Sequence, residues 1–167
     1  LTLPFCISIM SNIENNLQKE LPKYKLIGGI YFPKNTLDEI ARIICTAYNT
    51  NQKLKFYLGD TETGRDWCEE YETIGTIGRS TGPIKIPLLI RTSRSNGGSA
   101  LMTDSIVKIV DFKSKMVLYK HPKYVAPTVE IVPSDTPEYT HNTIVNGKLH
   151  GRHKSLRSAQ ICKSKIA

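Results

Sequence analysis

Two hydrophobic periods divide the chain. Leu37, Ile40, Ala41, Ile44, Ala47 and Tyr48 recur at helical spacing, which predicts an amphipathic helix running to about residue 49. Thr36-Leu37-Asp38-Glu39 ahead of it has the form of a capping box, and Asn49-Thr50-Asn51 breaks the pattern behind it. A narrower stripe of Ile13, Leu17 and Leu21 follows a second such box, Ser11-Asn12-Ile13-Glu14, and stops at Pro22. Between the two helices, Tyr24 to Phe32 reads as one strand closed by Pro33. Gly28-Gly29 within it marks a bulge or a close backbone approach.

From residue 53 the period becomes two. Leu54, Phe56 and Leu58 alternate with Lys55 and Tyr57 until Gly59-Asp60 turns the chain. Further strands are expected at Thr73 to Ile77, Ile84 to Thr92 and Thr128 to Val132. Ser105 to Asp111 and Met116 to Lys120 read as a hairpin. Pro87 pushes its strand to an edge or a bulge, because proline cannot donate to the ladder. After Pro133, Ser, Thr, Pro, Asn, His and Lys dominate, the composition of a segment outside any packed core. The expected fold is α+β: two N-terminal helices packed on a curled antiparallel sheet or small β-barrel over residues 11–133, then a flexible basic tail over 134–167.

Composition narrows the class. Of 167 residues, 40% are hydrophobic and 23% charged, close to ordinary globular usage. That excludes a collagen-like, disulfide-framework or wholly disordered chain. No apolar run approaches the roughly 20 residues of a membrane span. The apolar opening Leu1 to Ile9 lacks a basic region before it and a cleavage site after it, and Met10 has the setting of a natural start. Cys6, Cys45, Cys68 and Cys162 are scattered, with no C-x-x-C. This argues against structural zinc and for reduced thiols in the cytoplasm.

Charge adds the functional expectation. The net charge is +8, but residues 1–75 hold 8 Lys+Arg against 10 Asp+Glu, whereas residues 76–167 hold 15 against 5. The last acidic residue is Glu138, and a run of basic residues follows it. Such asymmetry points to a polyanionic partner, DNA or RNA first. Gly78-Arg79-Ser80-Thr81-Gly82 and Arg91-Thr92-Ser93-Arg94 combine arginine with hydroxyls, and with glycines inside or close after them, the groups that contact phosphates. The sequence thus suggests a non-enzymatic nucleic-acid-binding accessory protein with no cofactor. Arg79, Lys85, Arg91, Arg94, Lys148, Arg152, Lys154 and Arg157 would contact phosphates. Tyr57, Tyr71, Tyr119, Tyr124 and Trp67 lie among basic residues, as single-strand stacking requires.

Two other classes stay open. A small metal-dependent hydrolase or phosphodiesterase would use the carboxylates from Asp60 to Glu70, or His121 as base. The plainer reading of Asp60 to Trp67 is a β-turn loop in which Asp60 caps backbone N–H groups and Gly64 supplies a positive φ. An inhibitor or adaptor would instead meet a protein partner at the sheet edge near Pro87.

Overall fold

A computed structural model describes residues 16–67, 74–91 and 98–166. The helix α1, over 16–20, passes through a 3-10 turn at Leu21–Lys23 into a hairpin of β1 (Tyr24–Ile27) and β2 (Ile30–Pro33). Gly28 and Gly29 form its two-residue turn at φ 57° and 77°. Positive φ at both central residues matches the right-handed twist of paired strands, so the glycines reverse the chain within what reads as one strand. The close approach is also present: a Cβ on Gly28 would lie 2.8 Å from Cys45 Sγ.

The helix α2 (Asp38–Thr50) buries Ile40, Ala41, Ile44, Cys45 and Ala47. Its N-cap is Leu37, with no side-chain cap. The expected capping box fails because Thr36 is buried and its hydroxyl is shared with Thr103, 2.8 Å away. Instead, Lys25 of β1 pairs with Asp38 in the first turn of the helix at 2.7 Å. Asn51, left-handed at φ 51°, ends the helix.

A mostly antiparallel β architecture follows. β3 (Lys53–Asp60), β4 (Arg65–Asp66), β5 (Ile74–Arg79), β6 (Pro87–Ile90), β7 (Ser99–Ala100), β8 (Ile106–Asp111) and β9 (Val117–Lys120) form one sheet. Its order is β7-β6-β5-β3-β8-β9, with β4 paired to the end of β3. Leu54, Phe56 and Leu58 of β3, Ile77 of β5, Leu89 of β6, Ile109 of β8 and Tyr119 of β9 join α2 in one core. Pro87 takes the first position of β6, a strand one in from the edge, where a missing donor is tolerated.

The chain beyond Pro133 corrects the expected fold. β10 (Val129–Pro133), β11 (His141–Val145) and β12 (Lys148–His153) form a third sheet covered by α3 (Leu156–Ile166). Asn146-Gly147, at φ 50° and 77°, turns β11 into β12. The low apolar content misleads because the buried interior here is partly polar: Thr143 is fully buried and satisfied by His153 Nε2 at 2.8 Å. The described residues 134–166 thus belong to the third sheet, its loops and α3 rather than to a flexible basic tail. The two expected N-terminal helices are present as α1 and α2, but the chain is mostly sheet, a third helix closes it, and the large sheet is open rather than a barrel. Among the described residues there are three helices and twelve strands in three sheets. The readings at residues 1–15 and at Thr73, Thr92, Arg94, Tyr71, Cys68, Glu69 and Glu70 lie outside the described residues.

Asp111 ties the end of β8 to the end of α2. Its carboxylate accepts hydrogen bonds from Gln52 Nε2 and from the Ser114 backbone, and these hold its pKa down to about 2 from 3.8. A folded pKa below the unfolded value stabilises the fold above the unfolded pKa, and that contribution disappears as pH falls through the folded one. Urea unfolding should therefore show Asp111→Asn less stable than wild type near neutral pH. The gap should close as pH drops from about 4 to about 2. A gap that stayed constant with pH would disconnect the carboxylate from the effect.

Candidate nucleic-acid interface

Strand alternation sorts β3 into two faces. Leu54, Phe56 and Leu58 face α2, so Lys53, Lys55 and Tyr57 occupy the opposite, outer face. Register carries the pattern outward: Tyr57 pairs with Lys108 of β8, and Lys108 pairs with Lys120 of β9. A Lys-rich face thus forms from three adjacent strands, none of which is strongly basic along its own sequence.

The ammonium groups gather on aromatic rings. Lys55 Nζ and Lys108 Nζ each lie 4.8 Å from the Tyr57 ring centre. Lys108 and Lys120 lie 5.2 and 5.7 Å from that of Tyr124. The two tyrosines meet edge to face at 6.4 Å. At β3's other end, Lys53 and Lys115 lie 4.4 and 4.2 Å from the Phe112 ring centre. All are within cation–π range, worth about 0.5–1 kcal/mol each at exposed sites. Lys55 also donates to the Lys165 carbonyl at 3.2 Å, which brings the C-terminal end of α3, with exposed Lys163 and Lys165, to the rim of the face. Among the described residues, none of these face lysines is ion-paired with a carboxylate.

The segment between β9 and β10 holds Tyr124 in place. His121 Nδ1 accepts from the Lys123 N–H at 3.1 Å, and Tyr124 N–H donates to the His121 carbonyl at 2.9 Å. His121 is therefore a turn residue. The Asp60 loop packs on the same segment, with Val125 N–H on the Gly64 carbonyl at 3.0 Å. Gly64 sits at φ 71°, and a Cβ there would lie 1.9 Å from the Lys123 carbonyl oxygen, so only glycine fits. Asp60 accepts from the Glu62 N–H at 2.8 Å and the Thr63 hydroxyl at 2.9 Å, and these bonds lower its pKa. That is the turn-capping role, and among the described residues no three His, Cys, Asp or Glu side chains are grouped to hold a metal.

The basic residues singled out from the sequence are dispersed. Arg79 is exposed on the α2 side of the sheet, its guanidinium 5.6 Å from the Tyr48 ring centre. Lys85 shares that end of the β5–β6 hairpin and donates to the Thr81 carbonyl at 2.9 Å. Arg91 lies beyond the other end of β6, and Arg94 falls outside the described residues. Lys148 pairs with Val145 and Arg152 with Asn142, and a bulge between these pairs sends the two side chains to opposite faces of the third sheet. Lys154 and Arg157 are exposed where β12 passes into α3. Of the aromatics, Tyr57 and Tyr124 come together, Tyr119 is buried at 5%, and Trp67 is 46% exposed. Lys53, Lys108, Lys115, Lys120 and Phe112 belong to this cationic and aromatic surface although no motif along the chain marks them as a group.

No known family model matches the chain, and no curated protein or solved structure matches it. The functional reading therefore rests on the chemistry of the site.

Like charges directly opposite across an antiparallel pair are destabilising. Lys120→Glu should therefore stabilise the fold at low ionic strength by about 0.5 kcal/mol, the new pairing with Lys108 outweighing the lost ring contact. The gain should shrink in high salt. Loss of stability at low salt, measured by denaturant unfolding, would show that the lysines do not repel.

Proposed function

We propose that the chain binds single-stranded nucleic acid across the outer face of β3, β8 and β9, without catalysing a reaction. One observation carries this reading. Lys108 and Lys120 stand directly opposite each other beside Lys55, around two tyrosine rings, and among the described residues no carboxylate is ion-paired with these lysines. A folded domain gains nothing from concentrating like charge in this way, but an incoming polyanion does.

The two residue types divide the work. Phosphates take the ammonium groups and release condensed counterions, which gives affinity without sequence preference. Each lysine is a point charge on a flexible stem, so it can swing from ring to phosphate and leave the ring open. Unpaired bases then stack on Tyr57 and Tyr124, a contact that a duplex with stacked bases does not offer. Open rings therefore favour single strands.

Fluorescence anisotropy with labelled single- and double-stranded DNA and RNA, over a range of salt, tests this. Single strands should bind more tightly than duplex. Lys108→Gln and Lys120→Gln should each flatten the salt slope by about 0.7. Tyr57→Leu and Tyr124→Leu should weaken binding by about 1–3 kcal/mol per stacked base with the slope preserved. A larger loss from Arg79→Gln with Lys85→Gln would contradict the reading and move the contact to the β5–β6 turn.

A further inference from the structure

At the Asp60 end of β3, the Asp60 loop and the β11–β12 hairpin flank an open cleft of about 460 Å³, within the roughly 300–1,000 Å³ range of small-molecule sites. Its walls include Trp67, Leu149, Arg65, Lys148, Asp60 and Thr63. Trp67 and Leu149 are 46% and 49% exposed. Large apolar side chains left half open to solvent inside one concave site provide surface for a flat ring. Polar groups of both kinds line the same cleft: Arg65 and Lys148 are donors, and the Asp60 carboxylate, which accepts from Glu62 and Thr63, keeps further acceptor capacity.

The walls are anchored to a common segment. Val125 holds the loop through the Gly64 carbonyl, and Val125 also bridges to Arg65. Three residues on, Thr128 N–H donates to Asn146 Oδ1 at 3.0 Å, and Asn146 N–H donates to the Thr128 carbonyl at 2.9 Å. The Trp67 backbone is fixed on the Leu58 carbonyl at 2.9 Å. Loop and hairpin are therefore held at a set separation by residues 125–128, and Tyr124 of the lysine face immediately precedes that segment.

We infer that this cleft is a nucleobase seat in which a heteroaromatic ring stacks on Trp67 against Leu149, its edge hydrogen-bonded by the surrounding polar groups. This deepens the single-strand reading, since a strand crossing Tyr124 would meet the cleft next, but the cleft can also take a free nucleotide. Both sources share the base as the recognised chemistry.

Trp67 is the sole tryptophan, so its fluorescence reports on the cleft without a label. The full chain is titrated with each of four nucleoside monophosphates and with a short single-stranded oligonucleotide, using N-acetyltryptophanamide as the control for light absorbed by the bases. Saturable quenching by a mononucleotide or the oligonucleotide, weakened about tenfold or more in Leu149→Glu, is expected. Leu149 is half exposed, so this variant should fold, and circular dichroism checks that it does. No quenching by either probe overturns the inference, as does quenching that Leu149→Glu leaves unchanged. Lys108→Glu with Lys120→Glu separates the two readings. If this double variant abolishes oligonucleotide quenching that Leu149→Glu does not affect, Trp67 senses a strand on the lysine face and the cleft is not a seat. If mononucleotide quenching depends on Leu149 while the lysines prove irrelevant to strand binding, the cleft stands and the lysine-face reading fails.

Discussion

The alternation of β3 is the constraint on which the rest depends. Leu54, Phe56 and Leu58 are buried against α2, and a slip of one residue would place Lys53, Lys55 and Tyr57 there instead. Burying three apolar side chains is worth several kcal/mol, whereas burying lysines without partners is prohibitive. The core therefore fixes the register, and the register fixes the outer face. Tyr57 meets Lys108, and Lys108 meets Lys120, because Phe56 must meet Ile109 and Ile109 must meet Tyr119.

That coupling explains how a modestly charged domain presents a concentrated cationic surface. The lysines lie far apart in sequence, and pairing alone assembles them. Ring contacts from Tyr57, Tyr124 and Phe112 offset part of the repulsion, and the C-terminal end of α3 adds a carbonyl contact to Lys55. The segment after β9 serves two neighbours, holding Tyr124 on the face and fastening the Asp60 loop and the β11–β12 turn on either side of the cleft. Lysine face and cleft are thus parts of one surface with a shared support.

Strong local patterns were legible in the sequence. The α2 stripe, the β3 alternation, the β8–β9 hairpin and the Asp60 turn all show in residue spacing, because each is dictated by neighbours along the chain. Two glycine-containing turns were legible as hairpins, although Gly28-Gly29 reads equally as a bulge or close approach inside one strand. Gly28-Gly29 and Asn146-Gly147 are both two-residue hairpin signals, and the second lay in a stretch set aside as too polar to fold. Buried Thr143, satisfied by His153, shows why apolar content underestimates that sheet. The Thr36 capping box failed for a non-local reason, since Thr103 takes its hydroxyl. The candidate site was the least legible part. Net charge directed attention to Arg79, Arg91 and the C-terminal residues, but a binding face depends on cross-strand pairing, which charge counts along a chain do not contain. Lys53-x-Lys55-x-Tyr57 held the available signal, as the polar partner of the apolar alternation.

The most direct measurement of the central claim is a backbone amide shift map by two-dimensional NMR, with a short single-stranded oligonucleotide added at low salt. The largest changes are expected at Lys55, Tyr57, Lys108, Lys120 and Tyr124, forming one continuous patch on the outer face of β3, β8 and β9. Changes centred on Arg79 and Lys85 with that face silent, or no changes at all, would contradict the account.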